Sequence, residues 1–581
     1  MDNSRTIKTS QSADLITFTI LVDGTALSEV YQVANITVDK EVNRIPFAQL
    51  VFYDGEAASQ DFTLGNEDNL IPGKEVEIKA GYHNDEETIF KGIIIKHSIK
   101  IRENNSMLIV ECRDKTVKTT LGRKSSYYYD STDSDIIEEI LSNHSLEADV
   151  ESTSYTHKEL VQYRTSDWDF MMTRAQANSK VCIVENGSVK ITKPDFSSEP
   201  VQTIAYGATL LAFDAEMDAR NQFNKTTSYG WNPSEQEIVE TEANDPALSL
   251  NGNLSVSDLA DVLAVENLEL KHGGNYNSTV LQDWSDAHAL FQQASKTRGR
   301  IKFQGIPEVK PGVMVTLEGV GDRFNGSVYI SAVRHEISDG NWTVNAEFGI
   351  NPKWFSETYD IHENPAAGLL SAVNGLQVGV VSQLEDDPDG EDRILVQIPI
   401  INNEEQGIWT RIASLDAGEN RGAFFRPEIG DEVIVGFIND DPNHAVILGM
   451  LHSSAKPAPI SATDDNHEKG FITRSELKLL FDDDKKSITI ETPGGKKIII
   501  DEDAGSIIIE DENSNSITLD SDGILAESGK DFVVKATGDV KIEGTNIELK
   551  ANANFKAEGS AGAEISTSAV AVLKGSLVQI N

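Results

Sequence analysis

Chemistry in this chain of 581 residues would come most readily from its histidines, cysteines and clustered carboxylates. The eleven histidines are scattered. His83, His97, His144 and His157 have no second histidine at helical spacing, and His467 is the last one. No HExxH, GxSxG or GxxxxGK(S/T) pattern occurs, so zinc-hydrolase, serine-hydrolase and P-loop chemistry lack their sequence signatures. The run DDPDGED resembles the opening of a calcium loop. In EF-hand register from Glu385, however, the twelfth position is Val396 where a bidentate Glu is needed. Turn chemistry explains it better. Asp and Glu number 94 against 50 Lys and Arg, so a pair of acids identifies no glycosidase. Cys112 sits in SMLIVEC and Cys182 in VCIV, both strand-like. They are far apart and lack CxxC spacing, so two buried, reduced thiols are expected. The expectation is no catalytic residue, no metal ligand and no cofactor.

The net charge of −44 repels phosphates, which argues against nucleic acid and against anionic membrane surfaces. Hydrophobic residues make up 39% of the chain, and no run reaches the roughly 18 apolar residues of a membrane helix. The opening MDNSRTIKTSQSADL holds no hydrophobic signal core, so assembly in the cytoplasm without a secretory signal is expected.

The elements that would position any site are mostly strands. ITFTILVDG, ITVDKEV, KEVEIKAGY and SMLIVECRD alternate apolar and polar residues. Helices are predicted over Asp133 to Leu141, from a capping box at Ser166-Asp167-Trp168-Asp169, and over about Asp283 to Lys296. Asn186-Gly187 and Asn325-Gly326 read as hairpin turns. Residues 373–452 hold five short strands, GVVSQL, RILVQIPI, GIWTRIASL, DEVIVGFI and AVILGML, whose spacing suits a small closed barrel such as an OB-fold. Its aromatics Trp409, Phe424, Phe425 and Phe437 are expected to fill the core. They lack the basic groove that oligonucleotide binding would need.

The last hundred residues are periodic. Strands open at Ile488, Ile498, Ile507 and Ile517, nine or ten residues apart, then at Ile524, Phe532, Val540, Ile547 and Phe555, about seven or eight apart. A fixed short period indicates a β-solenoid-type repeat, in which no unit buries its own apolar face. The period is short for a single-chain coil and fits three chains winding together. These nine residues are the expected trimer core. The closing ANANFKAEGSAGAEISTSAVAV suits a narrowing tip.

The order of parts resembles the VgrG spike proteins of type VI secretion systems, themselves similar to fused hub and needle proteins of contractile phage tails. TSDWDFMMTRAQANSKVCIVENGSVKI and GIPEVKPGVMVTLEG with NGSVYISAVRHEI resemble the hub-like module. GVVSQLEDDPDGEDRILVQIP and, most closely, FRPEIGDEVIVGFINDDPNHAVILGMLH resemble the needle barrel, and VLKGSLVQIN resembles the family's ending. The resemblance implies a mainly β homotrimer with a few helices. It would have a hub-like β-barrel module over 1–365, an OB-fold needle-base barrel over 366–455, a linker over 456–470 and a triple-stranded β-helix spike over 471–581. It implies partners: other copies of itself, a hexameric inner tube protein, baseplate proteins, a PAAR-like tip protein, effector cargo and the target cell envelope. Leu573, Lys574, Gly575, Ser576, Leu577, Val578, Gln579, Ile580 and Asn581 would form the tip-docking surface. A trimer would carry three times −44, or −132, formal charges. With the repeats running to Asn581, no enzymatic extension is expected, and the machine would deliver the protein from the cytoplasm to the target cell.

Three other readings make distinct expectations. A homologous spike of an extracellular injection system or phage-like tail would share the fold. A β-helix carbohydrate enzyme would be a monomeric solenoid with a carboxylate-lined groove. A trimeric adhesin would carry a receptor-binding head and would need neither hub nor barrel.

Overall fold

The computed structural model describes residues 16–580 apart from positions 29 and 104. The chain divides into two units, Met1–Ala372 and Val373–Asn581.

Period-two alternation in the first unit builds a 13-stranded sheet. Its main path is antiparallel throughout. In spatial order it runs Leu210–Met217, Thr297–Gln304, Asn341–Phe348, Gly326–Ser338, Val33–Glu41, Phe47–Tyr53, Ser106–Arg113, Asp85–Ile101, Glu75–Tyr82, Ile16–Val22 and Thr25–Ala26. Gln202–Ala205 joins in parallel to Met314–Glu318, which pairs with Gly326–Ser338. Two cores lie along it. One gathers Ile36, Leu50, Phe52, Ile78 and Phe90 with Ile337 and Trp342. The other gathers Ile204, Ile301, Phe303, Ile330, Val344 and Phe348. Strands 33–41 and 326–338 pair with each other and join the two halves. Trp342 packs so close to Gly305 that an added Cβ there would lie 1.9 Å from the indole, and no other residue fits.

Among the described residues five α-helices accompany the sheet: α1 Asp133–Asn143, α2 Asp167–Ala177, α3 Val256–Leu263, α4 Ser278–Ala294 and α5 Phe355–Thr358. α1 and α2 lie where the sequence places them. Ser166 caps α2 by accepting the Asp169 amide, but its hydroxyl donates to the Asp169 carboxylate at 2.6 Å, a different return bond from the one a capping box predicts. α4 begins five residues before the expected Asp283, because Asn277 caps it. α3 was not anticipated, although Ser255 and Asp258 form a complete capping box at its start. Asn186-Gly187 does turn a two-residue hairpin, with Glu185 opposite Ser188 and both turn residues at positive φ. Asn325-Gly326 does not. There the connection runs from 319 to 325, and the Asn325 side chain accepts the Val320 amide to close it.

Cys112 and Cys182 are free and fully buried in strands, and burial raises the Cys112 thiol to about 12. His335, on strand 326–338, is buried with no partner for Nδ1 among the described residues, and buried Lys40 adds an unfavourable field. Desolvation pushes its imidazole down to about 3, and that of His288 on α4 down to about 4. Both histidines therefore fold neutral.

In the second unit, Gln377–Gln383, Ile394–Gln397, Ile408–Ile412, Ala445–Met450 and Glu432–Phe437 close a five-stranded barrel in that order. Val381, Ile394, Val396, Val433, Val435, Ala445 and Ile447 fill it. The expectation for its aromatics needs correction. Phe437 packs against this core, but Phe424 and Phe425 are exposed. They lie in a loop after the two-residue hairpin strands Ala417–Gly418 and Arg421–Gly422, so no strand pleat turns them inward. Phe424 lies beside the Arg426 guanidinium, and Phe425 stacks on Phe471 with ring centroids 5.3 Å apart. In DDPDGED, Asp387 accepts the amides of Asp389, Glu391 and Arg393 and the Arg393 guanidinium, so the loop is an Arg-closed turn.

Seven five-residue strands then form an antiparallel meander: Glu468–Ile472, Lys478–Asp482, Ser487–Glu491, Lys497–Asp501, Ser506–Glu510, Ser516–Asp520 and Gly523–Glu527. The first opens inside the stretch expected to be linker.

Two outcomes follow from this fold. An unfolded histidine titrates near 6.5, so below that pH the unfolded chain binds protons that the buried imidazoles refuse. Stability should therefore fall as pH drops from about 6.5 toward 4, by up to roughly 1.4 kcal/mol per pH unit per group. Urea midpoints read by tryptophan fluorescence should show this decline. His335→Leu should flatten it, and an unchanged slope in that variant would contradict the assignment. Separately, a double-mutant cycle of Phe425→Leu and Phe471→Leu should give a coupling of about 0.5–1 kcal/mol, with Trp409 as reporter. Additive effects would show that the stack contributes nothing.

Candidate functional site

Among the described residues no group of three or more His, Cys, Asp or Glu is arranged to hold a metal ion. The feature that requires an explanation is a surface. Each repeat strand places its second and fourth residues on one face of the meander. Cross-strand register aligns them in two rows: Leu479, Ile490, Ile498, Ile509 and Ile517, beside Phe481, Ile488, Ile500, Ile507, Leu519 and Ile524. From the second strand to Ile524 every residue of both rows is apolar, the first strand adds Phe471 to one row and Lys469 to the end of the other, and the central isoleucines are about as open as Ile490 at 48% exposure.

The opposite face is built differently. Its margin carries Lys478, Glu491, Lys497 and Glu510 in register, and these charges sit 3.2 to 3.9 Å from their neighbours across the strands. The other margin carries Asp482, Ser487, Asp501 and Ser506. Between them runs a mixed row of Leu480, Thr489, Ile499, Ile508, Thr518 and Leu525. One face is thus suited to water and the other is not.

The expected core residues Ile488, Ile498, Ile507, Ile517 and Ile524 all lie on the apolar face. Reading only the first apolar residue of each strand missed Ile490, Ile500, Ile509 and Leu519, which share that face. The signal was present as strict alternation in SITIE and SIIIE.

Phe532, Val540, Ile547 and Phe555 lie in a stretch where no strand forms within the single chain. After Glu527 the Asn515 side chain accepts both the Ser528 hydroxyl and the Gly529 amide. The meander ends here, and residues 528–580 continue in irregular backbone whose residues from 529 on are exposed. Among the described residues, no backbone–backbone hydrogen bond falls in that stretch. Leu573, Lys574, Gly575, Ser576, Leu577, Val578, Gln579 and Ile580 are exposed there, with Leu573, Leu577 and Ile580 at 75% or more, and Asn581 lies outside the described residues.

Residues 12–339 match the family described as the Alg8 N-terminal domain, and residues 377–452 match the type VI secretion system/phage-baseplate injector OB domain. The type VI secretion system spike protein VgrG3 of Vibrio cholerae is 35% identical over 75 residues, which is 13% of this chain and 7% of that protein. The spike protein VgrG1a of Pseudomonas aeruginosa is 32% identical over 74 residues, 13% of this chain and 12% of that protein. The match therefore spans a small part of either relative's length. Among solved structures, a 43 kDa prophage tail protein of Shewanella oneidensis aligns over 58% of this chain and 98% of its own, with 11% identity and a TM-score of 0.43. A type VI secretion component of Escherichia coli aligns over 74% of this chain and 99% of its own, with 12% identity and a TM-score of 0.37. Over residues 12–339 the chain belongs to the family described as the Alg8 N-terminal domain, it carries a type VI secretion system/phage-baseplate injector OB domain over 377–452, and it is similar to VgrG spike proteins over a small part of their length.

Proposed function

We propose that three copies of this chain wind together through residues 468–580 into the piercing spike of a contractile injection machine. The hub-like first unit would meet the hexameric inner tube and baseplate proteins. The far end of the repeats, Leu573 to Ile580, would seat a PAAR-like tip protein, and effector cargo would travel with the spike into the target envelope. The work is mechanical, with no reaction catalysed. Assembly would take place in the cytoplasm, and contraction would deliver the protein.

The uncovered apolar face carries this reading. A two-row apolar sheet face is unfavourable in water, and it continues into a stretch with no backbone–backbone hydrogen bond among the described residues. Two further copies would cover the face and supply strand partners for residues 528–580. The Lys–Glu ladder would remain outside, in solvent. Each isoleucine would then be buried once per copy, at about 1.5–3 kcal/mol each.

The reading is tested by Ile500→Asp with Ile509→Asp in the producing cells. The pair should abolish appearance of the protein in the medium after contraction, while its level inside the cell persists. Lys497→Ser on the opposite face should leave release within about twofold, since exposed pairs contribute little. Normal release of the double variant would overturn the proposal.

A further inference from the structure

A second feature lies in the first unit. A cavity of about 180 Å³ opens where the start of α1, the end of α2, the loop before α4 and Trp354 meet. Tyr155, His272, Tyr276, Trp284 and Trp354 line it with aromatic rings, and Asp283 adds a carboxylate.

The charges inside it are unequal in freedom. Asp133 is fully engaged: it accepts Arg174 Nε at 2.6 Å and Nη2 at 2.8 Å, Asn178 Nδ2 at 2.9 Å, and lies 3.1 Å from His157 Nε2. Its pairing also occupies the guanidinium fork, so Arg174 offers little to an anion. Asp283 has no hydrogen bond or ion pair among the described residues. Burial first, then the carboxylates Asp286 and Asp133, raise it above the usual carboxylate range, against the opposing pull of Lys193 and Lys180. Lys180 is itself held by Glu151 at 3.0 Å. Trp354 is fixed in place, because its Nε1 donates to His288 Nδ1 at 2.9 Å.

Aromatic faces beside an unpaired carboxylate are complementary to an organic cation, which gains from both the ring quadrupoles and the charge. The volume falls below the roughly 300 Å³ at which sites for drug-sized molecules begin. We infer that this aromatic pocket is a docking site for one basic side chain, an arginine or lysine, presented by a protein that assembles on the first unit. The chain's net charge of −44 would draw such a basic surface toward it.

The test uses the full-length protein and tryptophan fluorescence. The probes are acetyl-arginine methylamide, agmatine, tetramethylammonium and the neutral isostere neopentyl alcohol. Acetyl-arginine methylamide and tetramethylammonium should give saturable changes in the millimolar range. Neopentyl alcohol should bind about tenfold more weakly or not at all. Asp283→Asn should weaken both cations by about tenfold, with unchanged far-ultraviolet circular dichroism. Equal response to the neutral isostere, or no saturable response to any cation, would overturn the cation site in the native protein whether or not the variant folds. Binding of agmatine but not of the blocked arginine would overturn the side-chain assignment and point to a free amine.

Discussion

A β-sheet must satisfy two demands at once: its backbone groups need partners, and its apolar face needs cover. Seven hairpin-linked strands meet the first demand within this chain and leave the second unmet. Beyond Lys469, which stands opposite Phe481 on the first strand, the rows through Ile490 and Ile500 contain no polar residue, whereas the reverse face places Lys and Glu in alternating register at one margin. That asymmetry has no use in a single chain exposed to water on both sides. Beyond Glu527 both demands go unmet, for the stretch carries Phe532, Val540 and Ile547 exposed and forms no backbone ladder among the described residues. Everything proposed about the molecule's work depends on how these two needs are met.

The first unit contrasts with this. Its sheet pairs its strands internally, its cores are closed, and the buried Asp133 is satisfied by four nitrogens. Breaking such a buried pair costs about 3–5 kcal/mol. Among the described residues the exceptions include His335 Nδ1, which finds no hydrogen-bond partner, and Asp283, which has no hydrogen bond or ion pair. The barrel is likewise complete within the chain, and the Phe425–Phe471 stack ties its loop to the first repeat strand.

Local signals in the sequence were read correctly where one residue decides the outcome. Asn186-Gly187 turned as expected because both positions take positive φ, and five barrel strands followed from alternation and turn spacing. Errors arose where a distant contact decides. Asn325-Gly326 has the same residues as a hairpin turn, but the Val320 amide bonded to Asn325 lengthens the loop. Phe424 and Phe425 resemble core aromatics until the short hairpin before them removes the pleat. The repeat period revealed the apolar face, yet not where the meander stops, at the point where Asn515 reaches residues 528 and 529. The aromatic pocket was invisible in the sequence, for its walls come from positions as far apart as 155, 276 and 354.

The central claim is that other copies of the same chain cover the face. Light scattering on the purified full-length protein, beside a truncation ending near Gly470, tests it most directly. The account predicts a mass near three times 63.6 kDa for the full chain and a monomer or weak assembly for the truncation. A full-length monomer at micromolar concentration would contradict it.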